Sequence, residues 1–306
     1  GFVGSVLSKM VRNRRRDGNE HMNYEESGGG SHVAPKSKYN EVVKYFPVVV
    51  DNFFDDPDRI VEYAKSLPKE VGVSGKWPGK RSKSLWDTDK DLAISILLKI
   101  LSSYYDLTFQ DIHWSRIGMF FQEIPSYYKN KNDVRNKGWI HYDSEGGFDL
   151  AGLIYLTPDI DPNSGTSLFN LKKINDERYN KAHGFSPDYK GNQISWPRRN
   201  LHKNENISNN KGEFDEAYFT KKYEEHETLF IEKTRFANIY NRMIMYDTKE
   251  FHRANSYYTG VEQVARLTLV FFIGGIRAGI YPLQRLRDKD NDEFINYRSD
   301  SMKLEK

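Results

Sequence analysis

Cysteine is absent from this chain, and with it go disulfide staples, thiolate metal sites and thiol nucleophiles. Any metal ion would have to be held by His, Asp and Glu. Long apolar runs are also missing. No stretch reaches the ~18 consecutive apolar residues that a membrane-crossing helix needs, so the folded part is expected to be soluble. The opening GFVGSVLSKM carries its positive charges after its apolar residues, the reverse of a secretory leader, and a cytoplasmic or virion-associated setting is the expectation. An excess of either charge is missing too: 46 Lys and Arg against 43 Asp and Glu leave a net +3, too near balance to point to nucleic acid.

What is present suffices for a real core. Of 306 residues, 38% are hydrophobic and 14% aromatic, while a mean hydropathy of −0.77 wraps that core in polar loop. The first 40 residues combine Arg12, Arg14, Arg15 and Arg16 with the run Gly28 to Ser31, a composition that gives folding little to bury. Residues 1–40 are therefore expected to form a flexible basic arm, either a solvated tail or a docking arm for a larger assembly. Residues 41–285 read as one domain, interrupted at about 170–227 by an insertion rich in Lys, Asn, Asp and Glu, and residues 286–306 as a charged tail. Long loops of that kind are usually functional or unstructured.

Periodicity gives the fold class. Pro47 to Val50 reads as a strand, after which Asp55, Asp56 and Pro57 supply helix start signals ahead of Ile60, Val61, Ala64 and Leu67 at helical spacing. A second helix is expected from Asp89 to Tyr105, with Leu92, Ile96, Ile100 and Leu101 on its apolar stripe. After Asp111 the pattern changes to strands: Trp114 to Ile124, Phe148 to Pro158, Thr234 to Tyr246 and Arg266 to Ile273. Helices first and strands after predict an α+β domain whose core is an antiparallel jelly-roll, or double-stranded β-helix, with N-terminal supporting helices.

Within that frame, His141-Tyr142-Asp143 sets an imidazole and a carboxylate two positions apart, and in an extended chain residues i and i+2 share a face. Taken alone, His-x-Asp is a weak signal. A second imidazole from elsewhere would complete a facial triad that leaves three positions of an iron(II) ion open. His252, placed just past the expected strand end at Tyr246, is suited to that return. Arg266 opens an apolar strand and shares a face with Thr268, Val270 and Phe272. A guanidinium among apolar groups needs a partner, either a protein acid or a ligand carboxylate matching its planar fork.

Together, His141-Tyr142-Asp143, Gly152 to Thr157, Ser164 to Phe169, His252 and Arg266-x-Thr268 resemble the iron(II)/2-oxoglutarate dioxygenases, most strongly the prolyl-4-hydroxylase-like branch, including forms carried by bacteriophages. The likeness spans Trp114 to Ile273, is loose from Tyr45 to Asp111, and leaves the arm and the insertion unmatched. It implies that His141, Asp143 and His252 bind iron(II), that Arg266 pairs with the distal carboxylate of 2-oxoglutarate, and that Thr268 and Tyr155 share that carboxylate. It further implies O₂ as co-substrate and hydroxylation of an unactivated C–H bond, with a peptidyl, prolyl-like side chain as the family-weighted substrate. An intact Asp143 argues against halogenation. The spacings depart from most relatives: 109 positions separate Asp143 from His252 and 14 separate His252 from Arg266.

Two other classes compete. One is a structural or binding jelly-roll of a viral particle with a retained or vestigial oxygenase site, motivated by the arm and the insertion. The other is a cupin-like metalloenzyme that uses the triad without 2-oxoglutarate. His21, His32, His113, His183, His202 and His226 are expected to be solvated or locally bonded. Trp77 to Ser82 and Trp196 to Arg199 read as exposed turns or, alternatively, as contacts near the metal.

Overall fold

The computed structural model describes residues 45–72, 77–108, 112–126, 131–143, 147–172, 215–260 and 264–278. The basic arm, most of the polar insertion, the C-terminal tail, His21, His32, His183, His202 and Trp196 to Arg199 lie outside them.

Local signals set the first elements. After β1 (Val48–Val50), helix α1 (Pro57–Ser66) starts with Pro57 in its first turn and Asp56 as cap, accepting from the Arg59 amide at 3.2 Å. Strands β2 (Lys69–Val71) and β3 (Lys80–Ser82) form a hairpin, and the short helix α2 (Leu85–Thr88) leads into α3 (Lys90–Ser102), capped by Asp89 through the Leu92 amide. The chain continues as β4 (Ile112–His113), β5 (Arg116–Ile124), β6 (Phe148–Tyr155), β7 (Thr166–Leu171), α4 (Glu216–Glu227), β8 (Phe230–Phe236), β9 (Met243–Asp247), β10 (Phe251–Ala254), β11 (Arg266–Gly274) and β12 (Arg277–Ala278).

Among the described residues the strands form a seven-stranded sheet in the order β1-β9-β6-β11-β5-β3-β2, a three-stranded sheet β10-β7-β8, and the pair β12-β4. Every pairing is antiparallel. The result is a mixed α/β architecture with β11 at the centre of the large sheet, bonded along β5 on one side and β6 on the other.

Alternation along β11 sorts its side chains onto two covered faces. Leu267, Leu269, Phe271 and Ile273 join Met119, Phe121, Ile154 and Met245 in one cluster with Ala64, Ile96, Leu97, Ile100 and Leu101, so the helices cover this face. Val270 joins Ala151, Leu153, Tyr155, Ile244 and Tyr246 in a second cluster with Leu168 of β7 and Phe236 of β8. That cluster lies between the two sheets, and each fully buried Leu, Ile or Phe in either layer contributes about 1.5–3 kcal/mol.

Four expectations need correction. Thr234 to Tyr246 is two strands, β8 and β9, in different sheets. The chain turns between them at Asn241, which adopts φ 64° and bonds both the amide and the carbonyl of Phe54 through its side chain. The insertion ends in α4 rather than in loop, because Phe219, Tyr223 and His226 recur at helical spacing and bury one face. Trp77 to Ser82 is not wholly an exposed turn: Lys80, Arg81 and Ser82 form β3, and the Arg81 guanidinium lies 4.8 Å from the Trp77 ring centroid. His252 does follow the end of β9 at Asp247, but the stretch beyond that end holds a further, unexpected strand, β10, to which it belongs.

Candidate metal centre

Residues 138–143 run alongside β10 and extend the small sheet by one irregular strand. The Gly138 amide donates to the Ala254 carbonyl at 2.8 Å, His141 and His252 exchange both backbone bonds at 3.0 and 2.8 Å, and the Asp143 amide donates to the Thr248 carbonyl at 2.9 Å. Gly138 permits this approach, since a Cβ there would lie 2.5 Å from the Ala254 oxygen. The two imidazoles therefore come from directly opposed residues, with ring centroids 4.4 Å apart.

Each histidine is oriented in the same way. His141 Nδ1 lies 2.7 Å from the Trp139 carbonyl and His252 Nδ1 3.0 Å from the Glu250 carbonyl. A carbonyl only accepts, so Nδ1 carries the proton in both rings and Nε2 presents its lone pair. The two Nε2 atoms converge with the Asp143 carboxylate: His252 Nε2 is 3.1 Å from Oδ2, His141 Nε2 is 3.6 Å from Oδ1, and all three ligand atoms lie within 4.8 Å of one another. Bonds of about 2.0–2.2 Å to one divalent ion at right angles set donors about 3 Å apart, so the donor set fits such an ion. The His252 side chain is 7% exposed, while those of His141 and Asp143 are 21% and 24% exposed, which leaves the far side of the site open.

The remaining expected residues lie on the inner face of the large sheet. Thr268 is the cross-strand partner of Tyr155. The Tyr155 hydroxyl donates to Thr166 Oγ1 at 2.7 Å, and the Arg266 guanidinium lies 5.5 Å from the Tyr155 ring centroid. Arg266 is 2% exposed, yet its Nε and Nη2 find no acceptor among the described residues. A buried cation with two unmet donors is costly, and the geometry suits the planar fork to an incoming carboxylate. Burial raises the Tyr155 phenol, with Arg266 opposing, and raises that of Tyr246, with Asp143 adding to the shift, so both remain protonated donors at neutral pH.

Some of the site escaped sequence reasoning. Tyr246 packs its ring 4.6 Å from that of His252; it shares the inner face of β9 with Ile244, a placement that follows only once β9 is separated from β8. His226, expected to be solvated or locally bonded, is instead 1% exposed and bonds the Ile140 carbonyl at 2.8 Å. Its only sequence signal is the spacing to Phe219 and Tyr223.

Solved structures similar to this chain include HygX from Streptomyces hygroscopicus with nickel and 2-oxoglutarate bound, at 10% identity over 76% of this chain and 84% of that one, with a TM-score of 0.39. The non-heme alpha-ketoglutarate-dependent epimerase SnoN from nogalamycin biosynthesis is 12% identical over 81% and 88%, TM-score 0.38. EvdO2 from Micromonospora carbonacea var. aurantiaca is 10% identical over 81% and 91%, TM-score 0.38. No curated protein sequence matches the chain. A family model described as a family of unknown function, DUF6445, matches residues 39–273, most of the chain, and the protein belongs to that family.

Proposed function

We propose that the protein is an iron(II)- and 2-oxoglutarate-dependent oxygenase that hydroxylates an unactivated C–H bond, and that its two sheets are the halves of a double-stranded β-helix. The observation that carries this reading is an open His-Asp-His triad together with a buried guanidinium whose Nε and Nη2 find no acceptor among the described residues. A triad alone suits several metals and chemistries. The triad and the guanidinium are linked through Tyr246, whose ring packs against that of His252 and whose phenol feels both Asp143 and Arg266, and a metal site beside an anion receptor suits a co-substrate that chelates metal at one end and bears a carboxylate at the other.

His141, Asp143 and His252 would hold the iron, and Arg266 would hold the distal carboxylate. Iron, 2-oxoglutarate and O₂ together supply the oxidising power, with succinate and CO₂ as the co-products. The chain's own contribution is orientation. The carbonyls of Trp139 and Glu250 fix both imidazoles by their Nδ1 protons, Arg266 fixes one end of the co-substrate, and Thr268 and Tyr155 lie beside it as further donors. Ala151, Leu153, Ile244 and Val270 form the apolar wall that excludes water.

Within this class we favour the prolyl-4-hydroxylase-like branch and a peptidyl side chain as substrate, with the polar insertion shaping the entrance. A purely structural role accounts neither for the convergent Nε2 atoms nor for a cation buried at a cost to stability. A triad enzyme that dispenses with 2-oxoglutarate leaves Arg266 without a purpose. The test is O₂-dependent release of succinate by the iron-loaded full chain, with and without proline-containing peptides. Succinate formation that requires iron, and that peptides stimulate, supports the reading; none under any of these conditions sinks it.

A further inference from the structure

Helix α4 does more than lie against the metal centre, because two of its side chains donate to backbone carbonyls of the strand that carries His141. One edge of residues 138–143 is bonded to β10, and the other faces α4. On that edge the Tyr223 hydroxyl donates to the Gly138 carbonyl at 2.7 Å, and His226 Nε2 donates to the Ile140 carbonyl at 2.8 Å. The intervening Trp139 carbonyl is taken by His141 Nδ1 itself. The His226 ring also lies flat on the buried Trp139 indole, with centroids 4.4 Å apart and an interplanar angle of 13°.

The same helix reaches the second histidine strand. Arg253, next to His252, donates from Nη1 to the Tyr223 hydroxyl at 2.5 Å and pairs with Glu227. Tyr223, His226 and Glu227 stand at i, i+3 and i+4, one helix face, so a single rigid element grips both strands.

The geometry points to Tyr223 and His226 as positioning residues that set the separation of the two histidine-bearing strands, so that α4 governs how tightly the triad holds its metal. The inference rests on the reading of His141, Asp143 and His252 as a metal site. Neither residue touches the ion; each fixes the backbone from which a ligand projects. Hydrogen bonds made directly to metal-ligating side chains are typically worth about 10–100-fold in affinity, and bonds one step further out, to the backbone beside the ligand, are expected at the lower end of that range.

The experiment is a Co(II) titration of the full chain, with the rate of Co(II) release to a chelator measured well below each variant's melting temperature. His226→Phe keeps the stack on Trp139 and removes the donor. His226→Gln keeps a donor at the position of Nε2 and removes the stack. Tyr223→Phe removes only the hydroxyl. Folded His226→Phe and Tyr223→Phe should each bind Co(II) about tenfold or more weaker and release it faster, while His226→Gln recovers most of the affinity. Wild-type affinity and release rate in both phenylalanine variants would overturn the inference, as would a glutamine variant no better than His226→Phe. If His226→Phe fails to fold, Tyr223→Phe decides by the same two measurements. The metal reading fails separately, and takes this inference with it, if the wild type takes up no Co(II) or if His252→Ala takes up as much.

Discussion

Replacing Arg266 by Met should make the protein more stable in the absence of 2-oxoglutarate. Arg266 is 2% exposed, with Nε and Nη2 unmet among the described residues, and each buried donor left without an acceptor costs roughly 1–3 kcal/mol. Met retains the apolar stem. What it forfeits is the guanidinium placed over the Tyr155 ring, an interaction of about 0.5–2 kcal/mol. With two such donors, the balance favours Met by roughly 0–5.5 kcal/mol, centred on about 3 kcal/mol, as when a buried ionic group gives way to a well-packed apolar one. Each kcal/mol should raise the melting temperature by roughly 2–4 °C in a domain of this size. Saturating 2-oxoglutarate acts on the wild type alone: at a hundredfold excess over Kd the wild type gains about 2.7 kcal/mol and a non-binding variant gains nothing, so the gap between them shifts by that amount toward the wild type. Arg266→Lys keeps the charge but loses the fork, and should respond only weakly. Anaerobic melting curves of the metal-loaded proteins, with and without 2-oxoglutarate, read both effects. If Arg266→Met melts lower without 2-oxoglutarate and keeps the full rise with it, Arg266 is a structural cation and the co-substrate assignment is refuted.

Other outcomes follow from the same geometry. His141→Ala and His252→Ala should lose stoichiometric metal binding while Asp143→Ala binds more weakly, as metal-induced melting shifts will show; normal metal uptake by all three would remove the triad. Gly138→Ala drives a Cβ to 2.5 Å from the Ala254 oxygen and should cost roughly 1–3 kcal/mol together with metal affinity; a variant with unchanged melting and metal binding would show that the two strands tolerate separation. Thr268→Val should weaken 2-oxoglutarate binding by only about 0.5–1.5 kcal/mol, one neutral hydrogen bond, measurable by isothermal titration. The Asp149 carboxyl is raised by burial, with Asp247 adding to the shift, so its ionised form destabilises the fold, fully above the raised pKa and not at all below the unfolded value. Asp149→Asn should therefore raise the melting temperature near about pH 8 and leave it unchanged near about pH 3; a gain of equal size at both would separate the effect from ionisation.

Legibility in the sequence followed the range of the interactions. The caps at Asp56 and Asp89 and the alternation of β11 are local, and the sequence places them within a few residues. His141 and Asp143 were legible for the same reason, since i and i+2 in extended chain need only a shared face. His252 was identifiable as a candidate ligand but not as a strand residue: its strand exists through pairing with Leu168 and bridging to His141, and neither partner is near in sequence. Thr234 to Tyr246 looked continuous because both β8 and β9 are strand-like, and only the tertiary bonds of Asn241 to Phe54 mark the turn. The role of α4 was hidden by composition, since a helix this polar shows its buried face only against Trp139 and Ile140. That Arg266 Nε and Nη2 find no acceptor among the described residues is likewise a property of the folded interior. The sequence supplied the residue and left its partner open.

If one site holds both a metal ion and 2-oxoglutarate, isothermal titration of 2-oxoglutarate into the anaerobic iron(II)-loaded chain will show it. Binding of one equivalent that disappears without iron, in His252→Ala, and in Arg266→Met is the predicted result. No binding to the iron-loaded wild type, or binding that survives Arg266→Met unchanged, would contradict the account.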